Sequence, residues 1–293
     1  MDNSVGVRDF LMSRRARITP EQAGIARFGG VRRVPGLRRE ELAQLAGVSV
    51  DYYVRLERGN LAGVSESVLH SLSIALQLDR TERAHLFDLA RSAHSVGLRP
   101  AASVTSRVRP GLQRLLDSMT GPSYLRNGRL DLLAFNQLGR ALYAPILRSS
   151  AQPANSARFT FLDAGSHDFW GAWDQVADGL VATLRAEAGR SPTDKRLTDL
   201  VGELATRSPE FRTRWASHDV YRHSTGAKTL HHPVVGELTL MFEAMTFPAD
   251  EGLVLLAYEA EPDSSAADAL RLLASWDAVP ARSTTEREPD RTR

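Results

Sequence analysis

The stretch from Leu37 to Gly59, LRREELAQLAGVSVDYYVRLERG, constrains this chain more than any other. Its spacing predicts two short helices joined by a tight turn. The first runs from about Arg38 to Ala46, with Leu42, Ala43, Leu45 and Ala46 apolar. Gly47 ends it, because glycine enters the region of positive φ at little cost. Val48 then turns inward, and the hydroxyl of Ser49 can cap the next helix. That helix carries Tyr53 and Leu56 as inner positions and stops at Gly59. Tyr52 and Tyr53 are adjacent and cannot both face inward on a helix, so one is core and the other reaches outward. Ala43 is small where the two helices cross, which lets their backbones approach closely.

The flanks supply further helices. Val7, Phe10 and Leu11 recur at helical spacing within Val5 to Arg17, giving a helix that packs behind the pair. Ile18 to Gly36, broken by Pro20, Gly24, Gly29, Gly30, Pro35 and Gly36, reads as a loop exposing Arg27, Arg32 and Arg33. Val64 to Leu78 is apolar at Val68, Leu69, Leu72, Ile74, Ala75 and Leu76, with Ser65 as its cap. Asp79 to Ala93 follows, capped by Thr81, with Ala84, Leu86, Phe87, Leu89 and Ala90 inward. Residues 1–93 thus form an all-α head of five helices.

At 293 residues the chain suits two domains. Its net charge is only +2, but residues 1–100 hold 15 arginines against 11 acids, and residues 14–39 hold eight arginines against Glu21 alone. A basic cluster beside two short helices points to phosphate contacts. With no cysteine, disulfides, thiolate metal sites and cysteine nucleophiles are excluded. Neither a signal-peptide core nor a membrane-length apolar run is present, so a cytoplasmic location and no membrane partner are expected.

Residues 94–108, HSVGLRPAASVTSRV, read as a linker, and a second domain is expected over 109–280. Leu112, Leu115, Leu116 and Met119 mark a helix. Two strands, Ser123 to Leu125 and Leu130 to Phe135, flank a turn at Asn127-Gly128. Helices are predicted over Asn136 to Tyr143, Asp174 to Ala188, Asp194 to Thr206 and Pro209 to Trp215. Three strands, Ala227 to His231, Val234 to Phe247 and Leu253 to Ala260, precede a closing helix from Ser265 to Trp276. This order implies an α+β domain, an antiparallel sheet of PAS-like outline with helices banked on one side. The tail 281–293 is polar and expected to be disordered.

The pattern in 37–59 resembles the helix-turn-helix of λ-repressor and Cro type regulators, the XRE family. With SYLRNGRLDLLAFNQLGRALY, SPEFRTRW followed by HDV, HPVVGELTL and AEPDSSAADALRLLASW, the chain resembles the MmyB-like regulators over roughly residues 5–277. That resemblance implies a dimeric transcription factor whose PAS-like C-terminal domain holds a small apolar ligand such as a fatty acid, with no other cofactor. It places the start of the recognition helix at Ser49, with Val50, Asp51, Tyr52 and Arg55 outward. Arg55 can donate to guanine O6 and N7, Asp51 can accept from cytosine N4, and Val50 can press on a thymine methyl. Asp51 equally suits the first turn of a helix through the macrodipole. Arg39 and Arg58 match positions that hold flanking phosphates, and Arg32, Arg33 and Arg38 join them as candidates. Glu57 is expected to pair with an arginine or the backbone. Tyr53, where a β-branched aliphatic is more usual, and the arginine-rich loop depart from the general XRE pattern but are shared by the MmyB-like proteins.

His218, His223, His231 and His232 lie within fifteen positions, but their spacing does not suit a metal, and His231 and His232 should face opposite sides of a strand. No nucleotide-binding motif is present. Phe135, Trp173, Trp215 and His218 are the candidates for lining an apolar pocket, His218 with Asp219 offering a polar contact to a ligand head group. A ligand-responsive regulator, expected to repress at a palindromic operator as a homodimer, is the reading these features favour. Two others stand beside it: a C-terminal domain that only dimerises, or an enzyme fused to a DNA-binding head, for which His218 and Asp219 are the only tempting pair.

Overall fold

A computed structural model describes residues 3–25, 34, 36–94, 108–148, 153–217 and 225–277. The head consists of α1 (Asn3–Arg17), α2 (Arg39–Leu45), α3 (Val50–Glu57), α4 (Glu66–Ala75) and α5 (Arg80–His94). Val7, Phe10 and Leu11 of α1 are buried against Leu42, Ala43, Tyr53, Leu56, Leu72, Leu86 and Leu89, so the five helices share one core. Of the two tyrosines, Tyr53 is fully buried and Tyr52 only half-buried.

Some details differ from expectation. Asp79, not Thr81, caps α5: its Oδ1 accepts from the backbone N–H of Thr81 at 2.7 Å and of Glu82 at 2.8 Å. A carboxylate at the position before the helix satisfies two orphan donors, which a threonine inside the first turn cannot. Ile74 and Ala84 face outward, and Leu45 is partly exposed. A run of apolar letters longer than one helical face must put some of them in solvent. The expected loop of 18–36 is described only in part; Arg27, Arg32 and Arg33 lie outside the described residues, as do residues 95–107 of the expected linker and the tail 281–293.

The second half begins with α6 (Pro110–Asp117), β1 (Ser123–Arg126) and β2 (Leu132–Phe135), followed by α7 (Gln137–Leu142), α8 (Ala144–Leu147), α9 (Ser156–Leu162), α10 (Ser166–Phe169), α11 (Trp173–Arg190), α12 (Lys195–Arg207) and α13 (Pro209–Ala216). It ends with β3 (Thr225–His232), β4 (Gly236–Thr246), β5 (Val254–Glu259) and α14 (Ser265–Asp277). The strands form one antiparallel sheet in the order β2-β1-β5-β4-β3, which brings the first hairpin against the last strand.

Strand alternation gives the sheet two faces. Tyr124, Phe135, Leu238, Leu240, Phe242, Leu256 and Tyr258 join residues of α7, α9, α10 and α14 in the larger core of this half. The opposite face of β1, β2 and β5, with Leu125, Ala134 and Leu255, is covered by Leu112 and Leu116 of α6. Helices therefore lie on both faces rather than one, because β1, β2 and β5 carry apolar residues at consecutive positions. A third cluster packs α9, α11, α12 and α13 together through Leu184, Leu200, Leu204 and Phe211.

The β1–β2 turn differs from a two-residue hairpin. Leu130, not Gly128, takes the left-handed conformation, with φ 67°. Asn127 organises the turn by accepting at Oδ1 from the N–H of Arg129 and of Asp131, both at 3.0 Å. Gly128 is needed for another reason: a methyl there would run into the side chain of Glu187 on α11.

Candidate DNA-reading helix and ligand pocket

In the head, Gly47 turns the chain at φ 67°, and the N–H of Val48 closes α2 on the carbonyl of Ala43 at 3.0 Å. Ser49 then caps α3, its Oγ accepting from the N–H of Tyr52 at 3.2 Å. This turn leaves Ser49, Val50, Asp51 and Arg55 exposed on one side of α3 while Tyr53 and Leu56 are fully buried on the other. The Arg55 guanidinium lies 5.0 Å from the centre of the Tyr52 ring, so the two form one exposed unit at the front of the helix.

Glu57 at the end of α3 is buried, and two arginines meet it. Arg15 of α1 donates from Nε to Oε1 at 2.8 Å, and Arg39 of α2 donates from Nε to Oε2. The Arg15 Nη1 also donates to the carbonyl of Leu37 at 2.7 Å. One carboxylate thus ties three helices together, which answers the expectation of an arginine partner for Glu57. Arg39 remains about half exposed while held there. Arg38 and Arg58 are exposed.

In the second half, the described candidate pocket residues fall in two adjoining clusters bridged by Trp173. Phe135 packs in the sheet-side core, with ring centres 5.7 Å from Tyr124 and 6.5 Å from Tyr143. Trp173 touches both this core and the helical cluster; it stacks on His167 at 4.2 Å and donates its indole N–H to the carbonyl of Thr160 at 3.3 Å. Trp215 lies in the helical cluster, stacked on Phe211 at 5.5 Å and under the guanidinium of Arg185 at 4.3 Å. His218 and Asp219 lie outside the described residues. His231 is exposed and His232 buried, and the described residues contain no group of three or more metal-ligating side chains.

What the structure does gather is a set of tyrosines around two cations. The hydroxyls of Tyr143 and Tyr258 are 2.5 Å apart, and the rings of Tyr124 and Tyr143 are 4.7 Å apart. Burial pushes all three phenols above their ordinary value, so they are neutral hydrogen-bonding groups. Lys228 reaches this cluster from β3: its Nζ is 3.2 Å from the Tyr258 hydroxyl and lies over the rings of Trp170 at 5.3 Å, Phe242 at 5.3 Å and Tyr258 at 5.7 Å. Burial first, and the field of Arg126 second, pull the ammonium down to about 8. Arg126 projects from β1 on the same face as Tyr124, and burial lowers its affinity for protons as well. Among the described residues neither cation has a carboxylate within ion-pairing distance. Alternation within 225–232 carried the signal for Lys228: it shares a face with Leu230 and His232, both buried, and it is one of only two lysines in the chain.

The profile of the family described as MmyB-like transcription regulator ligand binding domain matches residues 108–273, more than half of the chain. A second profile, described as a helix-turn-helix domain, matches residues 12–86. No curated protein matches the chain. Among the described residues, no helix is long and apolar enough to cross a membrane.

Proposed function

The chain belongs to the family of regulators with an MmyB-like ligand-binding domain and carries a helix-turn-helix head, and from that premise we propose that it is a cytoplasmic, homodimeric repressor released or engaged by an amphipathic anion such as a fatty acid. The division into a head over 1–93 and a sensor over 109–280 belongs to the same proposal. In this reading α3 enters the major groove, Ser49, Val50, Asp51, Tyr52 and Arg55 meet base edges, and Arg38, Arg39 and Arg58 hold phosphates, joined by Arg32 and Arg33. A dimer would set two such helices about one turn of DNA apart.

The observation that carries the ligand chemistry is Lys228, a buried ammonium packed on three rings and facing a neutral tyrosine instead of a carboxylate. A buried cation without a counter-ion is costly, and an anionic head group entering there would offset that cost while the aromatic walls take an apolar chain. Phe135 stands in that wall and Trp173 at its edge, whereas Trp215 contributes only through the helical cluster behind it. Ligand would act by binding one arrangement of the dimer better than another.

The test is a titration of the full-length protein with laurate and with lauryl alcohol. Laurate should bind and change the affinity for the DNA upstream of the protein's own gene, and Lys228→Met should abolish laurate binding. Equal binding of acid and alcohol would reject the anionic head group. No binding of either, with an intact dimer by native mass spectrometry, would favour a C-terminal domain that only dimerises.

A further inference from the structure

The tyrosine cluster of the sheet and the helix-turn-helix head are joined by a line of charges across the last turn of α11. Glu187 is buried on that turn, with its carboxylate pressed against the β1–β2 turn at Gly128. Its Oε1 accepts from the Ser191 hydroxyl at 3.0 Å. Its Oε2 accepts no hydrogen bond from the described residues and lies 3.4 Å from Nη1 of Arg190. On the sheet side, Nη1 of Arg126 donates to the carbonyl of Asn127 at 3.2 Å, beside the Gly128 on which Glu187 presses, which puts its charge within reach of Glu187 as well as of Tyr124 and Tyr258. On the head side, Nε of Arg190 lies 3.9 Å from Oδ2 of Asp88 on α5. The backbones meet at the same place, because a methyl on Gly189 would crowd His85 and Leu89 of α5. Arg190 is therefore shared between a carboxylate of the sensor half and one of the head.

We propose that Glu187 and Arg190 form a relay by which an anion in the pocket loosens the head from α11. The inference rests on the anionic-ligand reading above. An anion beside Arg126 cancels its pull on Glu187, and the half-satisfied carboxylate turns its full charge on Arg190. Arg190 already sits at a long distance from Asp88, so a stronger hold by Glu187 draws it off α5. The relay requires no movement of the sheet, only a redistribution of one guanidinium between two carboxylates, and its direction is fixed by the sign of the ligand.

Two measurements on the full chain test it. The first needs no ligand: Arg126→Gln removes the same charge that an anion would neutralise, and it should speed amide hydrogen exchange in α5. Adding Glu187→Gln should return exchange to the wild-type rate, because Arg190 then has Asp88 alone. Unchanged α5 exchange in Arg126→Gln overturns the relay whatever the ligand proves to be. The second uses laurate as the probe. Wild type should show a change in DNA affinity of about fivefold or more, and DNA should change laurate affinity by the same factor. Glu187→Gln and Arg190→Gln should bind laurate at least as tightly yet respond less than about twofold. A full response in both variants overturns the relay while leaving the ligand reading standing; laurate that binds without any effect on wild type counts against the ligand reading itself, and the exchange experiment then decides the relay alone.

Discussion

The ammonium of Lys228 lies 3.2 Å from the hydroxyl of Tyr258 and over the faces of three aromatic rings. A charge in this position is tolerated rather than stabilised. Its affinity for a proton falls from the ordinary 10.5 to about 8, which means the folded state holds that proton less tightly than the unfolded chain. Below about pH 8 both states are protonated and the burial cost is present in full. Between about 8 and 10.5 the folded state has released the proton while the unfolded chain keeps it, so stability rises with pH over that window. Lys228→Met should therefore stabilise the protein at pH 7 by about 1–3 kcal/mol and flatten the stability–pH curve between 8 and 10.5. Urea unfolding of both proteins at pH 7 and 10 measures this; a less stable variant at pH 7 would show that the ammonium has a stabilising partner.

Glu57 carries the opposite case, a buried carboxylate with its counter-charges in place. Arg15 and Arg39 both donate to it, and Arg15 also holds the carbonyl of Leu37 just before α2. Replacing it by glutamine leaves the half-buried Arg15 without a full counter-charge, at a cost of about 3 kcal/mol. Arg15→Ala should cost a similar amount, and the double variant less than the sum, because the second change removes the group the first left stranded. Thermal unfolding of the four proteins gives the coupling directly.

A second buried network fixes the β1–β2 turn to the helices. Asp131 accepts from Asn127 Nδ2 at 2.9 Å, Arg129 Nε at 3.2 Å and Asn155 Nδ2 at 2.8 Å, while Asn155 also caps α9. Asp131→Ala strands Asn155 and part of Arg129, and should destabilise the protein by about 3 kcal/mol. Because this turn presses on Glu187, the variant should also alter the response to ligand, which a titration with laurate at a temperature below its unfolding would read.

The sequence made the head legible because helix faces and caps depend on neighbours a few residues away: Ala43, Gly47, Ser49 and Leu56 sit where their spacing required. The cluster of tyrosines around Lys228 was less legible because it depends on register. Lys228 reaches Tyr258 only because β4 lies between β3 and β5 with Lys228 opposite Leu240 and Phe242 opposite Tyr258. Counting aromatics put Trp173 and Trp215 together, yet the packing of α11 against α13 holds Trp215 in the helical cluster while Trp173 reaches the sheet core. Helices α9 and α10 escaped the periodicity because they are seven and four residues long, and α9 is secured by a cap on Asn155 that is itself held by distant Asp131.

Arg55 and Arg39 should fail differently when removed, and the difference follows from how each is held. Arg55 is exposed at the front of α3 and rests on Tyr52, with nothing else among the described residues fixing its guanidinium, so it can present two donors to a base edge. Arg55→Ala should cost about 1–3 kcal/mol of discrimination and leave salt-sensitive binding to unrelated DNA. Arg39 is tethered through Nε to Glu57 and remains about half exposed at the start of α2. A guanidinium so anchored cannot search for a base, but it can hold a phosphate at a set distance from α3. Arg39→Ala should weaken specific and unrelated DNA alike and lower the slope of log affinity against log salt by about 0.9 for each subunit bound. Mobility-shift titrations over a range of salt separate the two outcomes: an unchanged slope in Arg39→Ala would make that residue a strut for Glu57 alone, and unchanged specificity in Arg55→Ala would remove it from base reading.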